Sequence, residues 1–296
     1  SGTWNGTQNS LWTNSANWSA SPYTTGDQVA TFNNSGNSRT TIDLTGLVRG
    51  VTNLIFDSAN AAAYTIGGGD VNAQSLIFTN RSYLRLTSNV RSNQTVNAGV
   101  LLGHDRSGSI HYFRNDRLGN TLMLAGEVTT TNSGGTGGAK YVSFEGSGAI
   151  TVSGNMTVGG ASSLTVTNVT TGPFVLSGTN MINTLILAGG DVTVSGTNRF
   201  DSIRVNTGRP VTFTGTNTLS ALYLAGNAVL PAIVNIASGG TLSITNSGGD
   251  GFYVGSDPLD PDLVYCESQF GVISRQHLRT GERKGISPRA QKGEPP

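Results

Sequence analysis

The chain has 296 residues, 41 of them glycine, with 36% hydrophobic, 12% charged and 7% aromatic residues and a formal net charge of +1. That near-neutral balance excludes nucleic acid and anionic membrane surfaces as main partners, because both demand a basic field. No apolar run approaches the roughly 18 residues of a membrane span, the single Cys266 excludes an internal disulfide framework, and low net charge with regular alternation argues against disorder.

The length suits one large all-β domain or two smaller ones. The first 35 residues hold all three tryptophans, Trp4, Trp12 and Trp18, in TWNGTQNSLWTNSANWS, followed by GDQVATF from Gly26 to Phe32. Two readings stand beside each other. Bulky aromatics at the end of a repeat stack form a cap over its first exposed edge. Exposed aromatics also offer flat apolar faces on which sugar rings stack.

Trp4-Asn5-Gly6, Asn17-Trp18, the Gly26 to Phe32 stretch and Tyr64-Thr65-Ile66-Gly67-Gly68-Gly69 together resemble autotransporter-associated β-strand repeat proteins, also called passenger-associated transport repeat proteins. The likeness is close over about the first 90 residues and looser to about Gly249. It implies an extracellular or cell-surface β-helical passenger, in some cases adhesive.

From Val51 the units are long. VTNLIF ending at Phe56 is followed by AQSLIF ending at Phe78, a spacing of 22 residues, with Tyr64 to Ile66 and Leu84 to Leu86 as intervening strands. Period-2 alternation continues through Val100–Leu102, Leu122–Leu124, Val142–Phe144, Ile150–Val152 and Leu164–Val166, separated by Gly, Asn and Ser. One stretch interrupts it. HDRSGSIHYFRNDR, His104 to Arg117, concentrates charge in a body otherwise nearly free of it. As a projecting loop it offers His104, Asp105 and His111 to a metal and Arg114 to an anionic sugar; alternatively, its charges pair with one another.

The glycine run Gly134 to Gly138 does not read as a phosphate loop, since Ala139 precedes Lys140 and Tyr141 follows it. No Gly-x-Ser-x-Gly, His-Glu-x-x-His or repeated Gly-Gly-x-Gly-x-Asp is present. A non-enzymatic chain with neither cofactor nor metal is the expectation.

The clearest signal runs from Gly178 to about Thr245, where a unit opening on Gly-Thr-Asn recurs at Gly178, Gly196 and Gly215. A fixed period near 20 marks a solenoid. In register, Leu185, Ile203 and Leu222 coincide, as do Leu187, Val205 and Leu224, bracketing Ile186, Arg204 and Tyr223 as outward positions. Val192 with Val194 and Val211 with Phe213 form a second short strand in each unit. Gly is expected at a tight corner because it tolerates positive φ, and Asn180, Asn198 and Asn217 are expected one above another.

At Gly251 the composition changes: the last 46 residues hold 12 of the 35 charged residues. Asp257-Pro258, Asp260-Pro261, Val264-Tyr265, Gly271 and Arg275 resemble one blade of a sortilin-like or BNR-repeat β-propeller. One blade cannot close a ring, so the likeness carries no propeller activity. Cys266 beside a strand reads as a packing residue.

The expectation is an all-β chain: a single-stranded β-helix (solenoid) with an N-terminal aromatic cap over 1–50, a body over 51–249 and a short hairpin-like tail over 250–296. The opening at Ser1 and the end at Glu294-Pro295-Pro296 read as cuts from a larger bacterial surface or secreted protein. Its expected role is scaffold or adhesin, with a polysaccharide or cell-surface glycan as partner, no nucleic acid, no membrane insertion, and self-association through the ends as a further option. The alternative is a carbohydrate-binding or carbohydrate-active protein.

Overall fold

The computed structural model describes residues 1–20, 28–47, 50–103, 108–131, 138–160, 163–224, 232–244, 254–257, 259–260, 262–268, 272–277, 280 and 282–286. The chain forms two compact units, Ser1–Ile244 and Thr245–Pro296. Among the described residues the only helical pieces are two single 3-10 turns, Ser15–Asn17 and Asn34–Gly36, and none is long enough to cross a membrane.

The first unit is a β-solenoid-like repeat fold of parallel strands in two sheets, which have 14 and 9 strands among the described residues. The chain alternates between them, and each strand pairs with its counterpart one repeat earlier and one later. In the larger sheet the order runs from Gly2–Trp4 through Val29–Phe32, Val51–Phe56 and Ser75–Leu86 to Thr179–Leu187, Thr197–Val205, Thr216–Leu224 and Thr241–Ile244. The first 50 residues thus share a wall with the rest. Strands of two to twelve residues cannot bury an apolar face alone, so stability comes from stacking.

Inward positions form one continuous apolar column. Leu185 pairs with Ile203 and Ile203 with Leu222, the first two fully buried and Leu222 packed against the core. Phenylalanines run through the interior, with Phe78 to Phe113, Phe113 to Phe144 and Phe144 to Phe174 ring centroids 6.0, 5.5 and 4.8 Å apart. Burying each such ring contributes about 1.5–3 kcal/mol.

Repeat length varies with the number of strands per turn. Tyr64 and Gln94 lie 30 residues apart, Thr129 and Thr157 28, Met156 and Asn180 24, and Asn180 and Asn198 18, yet each pair is joined by a hydrogen bond between adjacent layers. The twelve-residue strand Ser75–Leu86 explains the change. Its first part pairs with Gly99–Leu102 and its second with Ser109–Asn115, so the middle repeats carry an extra short strand: Gly99–Leu102, Val128–Thr130 and Met156–Thr157. This corrects the 22-residue register. Phe56 stacks on Leu86, and Phe78 on Val51 instead, because the backbone bends between the two parts, where Arg81 has φ 57°.

Gly-Thr-Asn also departs from expectation. Only Gly196 of the three glycines has positive φ, at 82°. The residue type is required at Gly215 by closeness, since a Cβ there would stand 1.9 Å from the carbonyl oxygen of Gly196. Thr and Asn already belong to the following strand, Thr179–Leu187 in the first copy, and the Asn side chains point inward, buried.

The described residues of the second unit form a four-stranded antiparallel meander, Val254–Ser256, Leu263–Ser268, Val272–His277 and Arg283–Gly285. The tail, expected as a short hairpin or a single blade, thus has more strands than a hairpin.

Candidate functional site

The tryptophans are inside. Trp4 and Trp12 are 0% exposed and Trp18 5%. Trp18 meets Trp4 and Trp12 edge to face at 5.0 and 4.8 Å, and all three pack on Phe32. The indole N–H of Trp4 donates to the Arg39 carbonyl and that of Trp18 to the Trp12 carbonyl. Asn17 fixes the surrounding loop: its Oδ1 accepts from the Gln8 and Asn9 amides, and its Nδ2 donates to Asn9 and to the Leu11 carbonyl. Sugar stacking needs an exposed ring face, and none of the three tryptophans offers one. They plug the end of the column.

His104 and Asp105 lie outside the described residues, as does the glycine run except for Gly138. His111 and Arg114 are not in a projecting loop. They belong to the strand Ser109–Asn115, held between Ser82–Leu86 and Lys140–Gly146. Alternation explains this: His111, Phe113 and Asn115 point inward, leaving Tyr112 and Arg114 outward. His111 Nδ1 lies 2.8 Å from Ser82 Oγ. A nucleophile and base would take that spacing, but both residues are 0% exposed, so no substrate reaches them and the bond is a core contact.

Arg114 is in an ion cluster on the outer wall. Its Nε stands 2.6 Å from Asp116 Oδ1 and its Nη1 3.2 Å from Glu145 Oε2, while Arg85 Nη2 is 2.8 Å from Asp116 Oδ2. The hydrogen bond to Asp116 holds Arg114 more firmly cationic than usual. Beside the cluster, Tyr83 and Tyr112 stack with centroids 4.6 Å apart and planes 11° from parallel. That distance is the spacing of adjacent strands, so each ring covers one face of the other. Tyr83, Arg85 and Glu145 were not singled out from the sequence; their common signal is register, Tyr83 with Tyr112 and Arg85 with Arg114 with Glu145.

Near the capped end, at a corner between layers, an open hollow of about 700 Å³ is lined by residues including Ser10, Thr41, Asp43, Thr45, Gly68 and Gln74. Gln74 Oε1 accepts from the Leu44 and Gly68 amides at 2.8 Å each, and its Nε2 donates to Asp43 Oδ1 and Thr45 Oγ1. Asp43 Oδ1 also accepts from the amide and hydroxyl of Thr45 at 2.8 and 2.6 Å. These bonds, the Thr45 hydroxyl first, hold the Asp43 carboxyl below the usual carboxylate range.

In the second unit, one ligand atom each from Asp260, Asp262 and His277 lies within 4.8 Å of the others. Asp260 Oδ1 accepts from the Asp262 amide, an ordinary turn contact. Three ligands fall one short of a closed tetrahedral site.

Compared with known proteins, the chain matches no family model, no curated protein and no solved structure.

Proposed function

We propose that this chain is a non-enzymatic segment of a bacterial cell-surface or secreted protein, a single-stranded β-helix that projects or adheres. The observation that carries this reading is the parallel strand ladder from Gly2 to Ile244, stacked on a buried, largely apolar column and plugged at its start by Trp4, Trp12 and Trp18. The likeness of the opening residues to autotransporter-associated repeat passengers points the same way. A carboxyl that acts as general acid near neutral pH needs a raised pKa. Here the carboxyls of Asp43, Asp57 and Asp257 are all displaced downward, by hydrogen bonds first, and Asp116 and Glu145 are engaged by arginines. Incubation with a panel of plant, algal and host glycans, followed by chromatography of the products, tests the reading. Retention without chain cleavage is expected, and cleavage of any polymer overturns it.

A second reading rests on the four-stranded meander, the strand number of one propeller blade. On it, the chain leads into a BNR-like propeller that acts on carbohydrate, and further blades in the adjoining coding sequence are its test.

A further inference from the structure

We propose that the corner hollow is a binding site for an uncharged saccharide, which Asp43 holds by its hydroxyls. The inference rests on the adhesive reading above and gives it a ligand class.

Four features argue for it. The volume of about 700 Å³ falls within the 300–1,000 Å³ or so typical of small-molecule sites. Its carboxylate is positioned beforehand: Thr45 and Gln74 fix Asp43 through Oδ1, and none of those bonds uses Oδ2. Such an oxygen accepts from a pair of neighbouring hydroxyls, and a charge-assisted bond of that kind is about twice as strong as a neutral one. The hydroxyl side chains of Ser10, Thr41 and Ser75 add donors and acceptors that rotate to suit a ligand. Finally, the Gly68–Gly69 part of the lining carries no side chain, so a ring can approach backbone closely. Those two glycines belong to the Thr65-Ile66-Gly67-Gly68-Gly69 run, which the strand ladder uses only as far as Ile66.

The lining also decides the charge of the ligand. Among the described residues it contains one acid and neither Lys nor Arg, so the Asp43 carboxylate repels an anionic sugar, and a lone carboxylate does not make a cation cage. A neutral mono- or disaccharide fits.

The test is ligand-observed NMR on the full chain with methyl glucoside, methyl galactoside, methyl mannoside, cellobiose and galacturonic acid as probes. At least one neutral probe is expected to bind and galacturonic acid to bind at least tenfold more weakly. Asp43→Ala should weaken binding at least tenfold. Since that change also loosens the corner, Gly68→Leu serves beside it. A Cβ at Gly68 meets Asp43 and Gln74 at an ordinary 3.7 Å, so the backbone accepts a side chain there; with the fold checked by circular dichroism, the added bulk at the lining should abolish binding. Binding by none of the neutral probes, or binding unchanged within twofold in both variants, overturns the proposal. Retention on glycan polymers that survives both variants overturns the hollow and leaves the adhesive reading standing. Binding through the hollow without retention on any polymer supports the hollow and sinks that reading.

Discussion

The side-chain amide of Asn180 donates to the side-chain oxygen of Asn198 across 2.6 Å, one repeat further along the stack. Asn198 in turn donates to Asn217 at 2.7 Å, the chain ends on the Thr241 carbonyl, and its first acceptor, Asn180 Oδ1, takes the Met156 amide. Both ends of every buried amide in this ladder are used, which is the condition under which buried polar groups stabilise a core.

Asn198→Ala should therefore cost about 3 kcal/mol, because it leaves unmet the acceptor of Asn217 and one N–H of Asn180, whose amide keeps only the Gly178 carbonyl, each worth about 1–3 kcal/mol when buried and unmet. Asn198→Asp should be destabilised at pH 7 and recover part of the loss below about pH 4, where a protonated carboxyl can donate as the amide did. Urea denaturation at both pH values reads the difference. A midpoint for Asn198→Ala equal to that of the parent would refute the ladder.

Gly215→Ala should destabilise by about 1–3 kcal/mol or more, the range of overpacking, because the new Cβ has the Gly196 carbonyl in its way. Gly68→Ala, in the same unit and with nothing closer than 3.7 Å, is the matched control and should change little. Thermal unfolding of the pair checks the contrast.

Trp4→Ala should cost about 3–5 kcal/mol, as for other buried aromatics cut to alanine. The same burial predicts blue-shifted tryptophan emission that acrylamide quenches poorly. Ready quenching in the folded chain would place these rings at the surface.

Asp57 accepts from the Thr87 hydroxyl and the Asn89 amide, and these bonds, Thr87 first, depress its pKa below 3.8. A carboxyl with a lower folded than unfolded pKa contributes stability fully above the unfolded value and loses it as pH falls through the folded one. The denaturation midpoint should therefore drop below about pH 4, and Asp57→Asn should flatten that drop. An identical acid slope in the variant would exclude Asp57 as a contributor.

The Gly178–Leu224 repeats were legible because two independent periods agree there: alternation within the strand and an 18- to 19-residue return. Leu185, Ile203 and Leu222 had to coincide for both to hold. The strand Ser109–Asn115 was hidden because two of its inward positions are His111 and Asn115, which read as loop residues although Asn115 stacks on Leu86 and Phe113 on Leu84. Asn115 satisfies itself inside by donating to the Asn120 and Ala149 carbonyls, a partnership no local pattern announces. The hollow was equally silent, since Asp43 and Gln74 meet only when layers 31 residues apart come together.

The amide ladder also makes these units of 18 and 19 residues interchangeable. Excising Gly178 to Ser195 would deliver Asn198 to the Met156 amide that Asn180 now receives, and duplicating the same segment would insert one more link of identical chemistry. Length is thus an adjustable property of this molecule, open to change by whole cassettes without redesigning its interior.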